Sequence, residues 1–226
     1  MSRAVVLLSG GLDSSTTLGI AAQEHDELCA LTFRYGQTHD REIKSAERLA
    51  SHYSVEEHKI LDIPLADIGE SSLLVTGGDI PQHEEEYIGE RIPSTYVPAR
   101  NIIMLSYALC YGESIDAEAI YIGANARDYS GYPDCRPEFY DAFERMAEEG
   151  TKRGVEGSPI NIEYPLIDMT KKEIVEKAHE LCVPLEMTWS CYRGGKKACG
   201  ECDSCKLRLK GFKEAGLEDP IGYEEK

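Results

Sequence analysis

Apolar residues recur along this chain in two alternating rhythms. Ala4 to Leu8 is a continuous apolar run closed by Ser9-Gly10-Gly11, the pattern of a strand buried on both faces of a parallel sheet. Asp13 to His25 is helix-compatible, with Leu18, Ala21 and Ala22 on one face, and Leu28 to Tyr35 reads as the next strand. A second helix from about Asp40 places Ile43, Ala46, Leu49, Ala50 and Tyr53 on one stripe, and Val55 to Ile63 follows as a strand. Strand and helix taking turns in this way predict a right-handed, mostly parallel and twisted α/β sheet with helices on both faces.

The period then lapses. Gly69 to Pro98 holds three prolines and the acidic run Glu84-Glu85-Glu86 and sustains no rhythm, which reads as a lid, a binding loop or a mobile stretch. Asn101 to Gly112 is a helix, Ala119 to Gly123 a strand and Asn125 to Arg136 irregular. Pro137 suits the first turn of a helix whose apolar face is Phe139, Tyr140, Phe143 and Met146. Ile160 to Ile167 reads as a strand. Thr170 and Glu173 form a capping-box signature ahead of Ile174, Val175, Ala178, Leu181 and Cys182, and Asp203 to Ala215 makes a last short helix.

Charge narrows the function classes. The net charge is −17 over 226 residues, yet residues 191–226 are nearly balanced, so the first 190 carry the whole acidic excess. Such a surface repels phosphate polymers, which argues against bulk nucleic-acid binding. No uncharged stretch is long enough to span a bilayer, and the start of the chain does not match a secretory signal, so a cytoplasmic protein is expected. In that reducing setting the eight cysteines are read as metal ligands or catalytic groups rather than disulfides.

The first candidate chemistry lies in LLSGGLDSSTTL, Leu7 to Leu18. Two glycines permit a tight turn with backbone N–H groups close to an anion, and the helix behind them aims its positive end into the same space. Ser9, Ser14, Ser15 and Thr16 add hydroxyls. The loop contains no lysine and matches neither GxxxxGK[ST] nor GxGxxG. The plainer reading is a strand-to-helix turn with Asp13 or Ser14 as N-cap.

The second is Cys191 with CGECDSC at 199–205. Four thiolates, Cys191, Cys199, Cys202 and Cys205, suit tetrahedral zinc with no open position, hence one structural Zn2+. Lys196, Lys197, Lys206 and Arg208 are expected to offset the negative charge of such a site. An iron–sulfur cluster is the competitor, and zinc is favoured because no apolar shell is evident around the cysteines.

SGGLDS behind a buried first strand resembles the SGGxDS signature of the PP-loop ATP pyrophosphatases. The resemblance implies an adenine nucleotide alpha-hydrolase-like fold in which the loop grips the leaving pyrophosphate while an acceptor oxygen is adenylated. It implies ATP binding by Leu8, Ser9, Gly10, Gly11, Leu12, Asp13, Ser14, Ser15, Thr16, Thr17 and Leu18, with Mg2+ accompanying ATP, and catalytic roles for Asp13, Ser14 and Lys171. A surface lysine is the competing view of Lys171.

With YGQTHDRE at 35–42, YVPARN at 96–101, DYSGYPDCRPEF at 128–139 and TWSCYRGGKKACGECDSCKLRLKGF at 188–212, the chain resembles the QueC family of 7-cyano-7-deazaguanine synthases. Thr38 departs from the basic residue expected at its place. The resemblance implies that 7-carboxy-7-deazaguanine, ammonia and ATP give the nitrile through an adenylated acid and then an adenylated amide, in queuosine or archaeosine precursor synthesis. It also implies a homodimer acting on small molecules, with no direct contact to nucleic acid or membrane.

For substrate contacts we single out Arg100, Tyr132, Asp134, Arg136 and Glu138, since carboxylates accept from a deazaguanine edge and guanidinium groups hold carboxylate or phosphate. Phe139 reads as core. His39 is taken as an exposed or capping residue rather than an acceptor of the ammonium proton, and Cys135 lacks an adjacent base. The expected division is an ATP-binding α/β domain over 1–188 and a C-terminal zinc-binding module over 189–226. The rival functions are a PP-loop tRNA-thiolating enzyme and a non-catalytic zinc-stabilised nucleotide binder.

Overall fold

Five strands, β1 (Arg3–Leu7), β2 (Glu27–Arg34), β3 (Glu57–Asp62), β4 (Ala119–Ile122) and β5 (Asn161–Glu163), lie in the order β3-β2-β1-β4-β5, and every neighbouring pair is parallel. The computed structural model describes residues 1–75, 77, 80, 92–127 and 132–225. The acidic run at 84–86 and the head of the 128–139 segment fall outside them. Among the described residues between Gly69 and Pro98 there is neither helix nor strand, as the lapse in period predicts.

β1 shows why the sheet is covered on both sides. Val5 and Leu7 pack with Leu105 and Ala108 of α4 (Arg100–Ser114) and Tyr140 and Phe143 of α5 (Pro137–Gly150). Ala4, Val6 and Leu8 point the other way, to Leu18 and Ala21 of α1 (Leu12–Glu24) and Ala46, Leu49 and Ala50 of α2 (Arg41–His52). Period-2 alternation splits one apolar run between two cores, and each leucine so buried is worth about 1.5–3 kcal/mol.

Short helices α3 (Leu65–Ile68) and α6 (Lys152–Val155) complete the body. Helix α7 (Lys171–Glu180) opens with the expected capping box: the Glu173 N–H donates to Thr170 Oγ1 while Glu173 Oε2 accepts the Thr170 N–H at 2.7 Å. Helix α8 (Asp203–Glu214) packs along α7 through Phe212, which joins Leu12, Leu166, Ile174, Val175 and Ala178 in a third apolar cluster.

Three expectations need correction. The strand read over Ile160 to Ile167 shortens to three residues, because Asn125 Nδ2 donates to the carbonyls of Leu166 and Met169 and holds that stretch as a turn. Met146, assigned to the apolar face of its helix, is 47% exposed, while Tyr140 and Phe143 are buried. The N-cap of α1 is Gly11, with no side-chain cap, rather than Asp13 or Ser14. Gly123, just past the end of β4, packs against the start of α1: an added Cβ would lie 2.8 Å from the Ser14 amide nitrogen.

Candidate active site

The chain runs outward from β1 through β2 to β3 and then returns to the other side of β1 at β4, so the carboxyl ends of β1 and β4 flank the point where strand order reverses. In open parallel sheets ligands bind in that crevice. A cavity opens there, walled by Ser9, Gly11, Asp13 and Ser14 on one side and by Gly123, Ala124 and Asn125 on the other.

Gly10 has a φ of +82°, and a Cβ would strike the Glu42 carbonyl oxygen and the Ala46 amide. Only glycine fits there. Ser14 Oγ lies 3.0 Å from Ser9 Oγ and donates to the Gly11 carbonyl at 3.2 Å, which braces the loop across its mouth. Of the loop residues singled out in the sequence, Leu8, Ser9, Gly11, Leu12, Asp13 and Ser14 line the cavity. Ser15, Thr16, Thr17 and Leu18 do not: one turn into α1 the helix has carried them into the core, and Leu18 packs on Val6 and Ala30.

Lys171, across the cavity, is only 7% exposed, not a surface lysine. Its Nζ donates to Asp13 Oδ1 at 2.8 Å and Oδ2 at 2.9 Å, so α7 and the glycine loop meet through an ion pair spanning 158 positions. The capping box fixes the start of α7, and therefore where this ammonium stands.

Of the proposed substrate contacts, Arg100 and Tyr132 line the cavity. Burial works against the Arg100 charge, but Tyr35, Tyr132 and Asp134 outweigh it and hold the guanidinium protonated, with its carbon 5.8 Å from the Tyr35 ring centre. Asp134 is absent from the lining: its Oδ2 accepts the Asn101 N–H at 3.0 Å and so closes the start of α4, where Ala99 adopts φ +56°. A carboxylate accepting a backbone N–H at a helix N-terminus is the pairing that helix electrostatics favours. Arg136 and Glu138 are exposed and lie outside the cavity wall, with Arg136 Nε donating to the Pro133 carbonyl. Cys135 lines the cavity but burial, then Asp134, pushes its thiol up to about 12, which disfavours a thiolate nucleophile.

Two further groups complete the wall. His39 accepts the Arg41 N–H at Nδ1 and pairs Nε2 with the Cys191 carbonyl at 3.1 Å, which makes it a strap as well as a cap. Glu42, in the first turn of α2, faces the cavity near Arg100, and burial raises its carboxyl to about 7.

The four cysteines Cys191, Cys199, Cys202 and Cys205 are buried together, their sulfurs all within 4.8 Å of one another, with Cys199 and Cys205 3.9 Å apart. That spacing fits one ion, since four sulfurs about 2.3 Å from zinc stand about 3.8 Å apart. Backbone N–H groups of Arg193 and Cys199 aim at the Cys191 sulfur, and those of Glu201 and Cys202 at the Cys199 sulfur, which stabilises thiolates. The donor set therefore fits a metal ion. The expected lack of an apolar shell is corrected: Ile80, Trp189, Tyr192, Ala198, Ile221 and Tyr223 surround the cysteines. Arg208 does not offset the site's charge. It is buried and bound through Nε and a terminal nitrogen to both oxygens of Asp219 at 2.8 and 2.9 Å.

The sequence model described as "Queuosine biosynthesis protein QueC" matches residues 3–216. The chain belongs to the QueC family. Among its relatives, a protein of Acetivibrio thermocellus named 7-cyano-7-deazaguanine synthase is 55% identical over the full length of both chains. One of the same name from Desulfitobacterium hafniense is 53% identical over 99% of this chain and 94% of its own, and one from Thermoplasma acidophilum 54% identical over 99% and 92%.

In this QueC-family chain the sequence left Tyr35, Glu42, Asn125 and Trp189 unassigned, although all four line the cavity. Tyr35 and Glu42 lie inside the YGQTHDRE string, and Glu42 directly precedes the apolar stripe of α2, a signal that a helix end faces the first loop. Trp189 lies in the 188–212 string, two positions before Cys191, but nothing there signals that it folds against the glycine loop.

Proposed function

We propose that this chain condenses 7-carboxy-7-deazaguanine with ammonia at the expense of ATP, releasing AMP and pyrophosphate, and then dehydrates the amide to the nitrile in a second adenylation. The observation that carries the reading is end-to-end identity above one half to a protein named for this product, joined to a glycine loop that opens into the cavity.

In this reading the triphosphate lies over the loop from Leu8 to Ser14, against the exposed N–H groups of α1. The Lys171 ammonium and the Ser14 hydroxyl stabilise charge as pyrophosphate departs. Asp13 holds Lys171 in place before ATP arrives and serves Mg2+ once it does. Arg100 holds the substrate carboxylate in line with the α-phosphorus, and Tyr132 offers a ring face to the flat base. Magnesium, when bound, neutralises phosphate charge. Held ammonia and excluded water do the rest, because an adenylate is already activated.

The four cysteines take zinc, a structural ion that closes the wall behind Trp189; their spacing supports one ion rather than a multi-iron cluster. We further read the protein as a cytoplasmic homodimer that supplies a queuosine or archaeosine precursor, with the domain boundary at 188.

The test is product analysis. Purified protein with 7-carboxy-7-deazaguanine, ammonium and magnesium ATP is expected to yield the nitrile by mass spectrometry with AMP, and Asp13→Ala to lower substrate-dependent ATP–pyrophosphate exchange at least about 100-fold. ADP in place of AMP, or full exchange by a folded Asp13→Ala protein, would sink the reading.

A further inference from the structure

Nitrogen must reach the adenylate as neutral ammonia, although at neutral pH it arrives almost wholly as ammonium, so the cavity needs a group to take one proton. His39 is the obvious candidate and is already committed: one ring nitrogen accepts the Arg41 N–H and the other pairs with the Cys191 carbonyl, leaving no lone pair for an incoming proton. Cys135 is protonated and Asp13 carries Lys171. The carboxyl of Glu42 differs from all three. It lines the same cavity, its backbone carbonyl lies against Gly10 of the loop, and among the described residues no hydrogen bond or ion pair engages its side chain.

We propose that Glu42 is the proton acceptor that turns bound ammonium into the attacking ammonia, an inference that rests on the function proposed above. The carboxylate takes one proton from ammonium and becomes the acid. The nitrogen lone pair then forms the carbon–nitrogen bond, the carbon–oxygen bond to the phosphate breaks, and AMP leaves with its electron pair. The remaining surplus proton on nitrogen passes to water, and Glu42 returns its own proton to solvent before the next round. Burial supports the role, since a carboxyl held near 7 is half ionised where the reaction runs and is a stronger base than an ordinary glutamate. Arg100 from α4 faces this carboxyl and keeps part of it ionised, Tyr35 faces it from the end of β2, and Asp13, Lys171 and His39 hold the other walls.

The experiment compares wild-type protein with Glu42→Gln and Glu42→Asp in three measurements: substrate-dependent ATP–pyrophosphate exchange, amide and nitrile formation from saturating ammonium, and hydroxamate formation from hydroxylamine, which is uncharged at neutral pH and needs no base. For Glu42→Gln, ammonium-dependent product is expected to fall at least about 100-fold more than hydroxamate. The wild-type rate is expected to climb with pH through about 7. Glu42→Gln should lack the inflection near 7 and rise only in step with the fraction of free ammonia, and Glu42→Asp should regain part of the rate. If product, hydroxamate and exchange fall together, Glu42 is a structural or substrate-positioning group and the proposal is overturned, as it is if the inflection near 7 persists in Glu42→Gln. If the wild-type protein shows no exchange with 7-carboxy-7-deazaguanine, the function beneath the proposal fails and takes it along.

Discussion

A carboxyl shut into a cavity leaves a mark on stability as well as on rate. The folded chain holds the Glu42 proton up to about 7 against an ordinary value of 4.5, through burial, with Arg100 opposing. A raised carboxyl contributes stability that is fully present below the unfolded value and is lost as pH rises through the folded one. Glu42→Gln removes that titration. Its denaturation free energy is expected to gain on wild type by on the order of 2 kcal/mol between about pH 5 and about pH 8. Parallel urea titrations check this, and a difference that stays flat with pH would show that the carboxyl is not buried in solution. The residue thus lowers stability where it is most useful as a base, the trade expected of a functional group.

At the scale of elements, the cavity is assembled by segments distant in sequence. The Trp189 N–H donates to the Gly10 carbonyl at 2.8 Å, the Thr38 hydroxyl reaches the Tyr192 carbonyl, His39 reaches the Cys191 carbonyl, and the Arg41 guanidinium lies over the Trp189 ring. The four cysteines and the loop are therefore neighbours through one short strap. Trp189 is the sole tryptophan, which makes it a built-in reporter. Chelation, or Cys202→Ala, is expected to red-shift its emission and to lower ATP–pyrophosphate exchange at the same chelator concentration, because a loosened strap releases Gly10. Emission that shifts with exchange untouched would separate the two sites.

This assembly also explains what the sequence could and could not reveal. The strand, glycine turn and helix from Arg3 to Glu24 were legible because their signals are local: an apolar run, a residue needing positive φ, and a helical stripe. The cysteines were legible for the same reason. The hydrogen bond from Asn101 to Asp134 was not legible, because a carboxylate in an irregular segment looks like a ligand reader until the start of α4 is folded against it. Lys171 could be named but its burial could not, since that depends on Gly211 of α8 admitting its side chain. Thr16 to Leu18 were drawn into the binding loop by motif membership, where helical geometry turns them inward.

Over the whole molecule, a single buried cation ties the tail to the body. Arg208 is 1% exposed; besides Asp219 it donates to Thr188 Oγ1 at 2.7 Å and Ser190 Oγ at 3.2 Å, and Tyr223 also donates to Asp219. Removing one partner of such a pair strands the other charge. Asp219→Ala is expected to cost about 3–5 kcal/mol in chemical denaturation, whereas Arg208→Met with Asp219→Leu together should cost far less. Equal losses in single and double variants would mean that packing, not stranded charge, carries the effect.

The bond from Trp189 to Gly10 also fixes an order of events at the ribosome. The glycine loop leaves the ribosome well before Trp189 does. A chain interrupted between the two carries the glycine turn without the wall that shapes it, so the cavity takes its final form only once residue 189 has emerged and folded back.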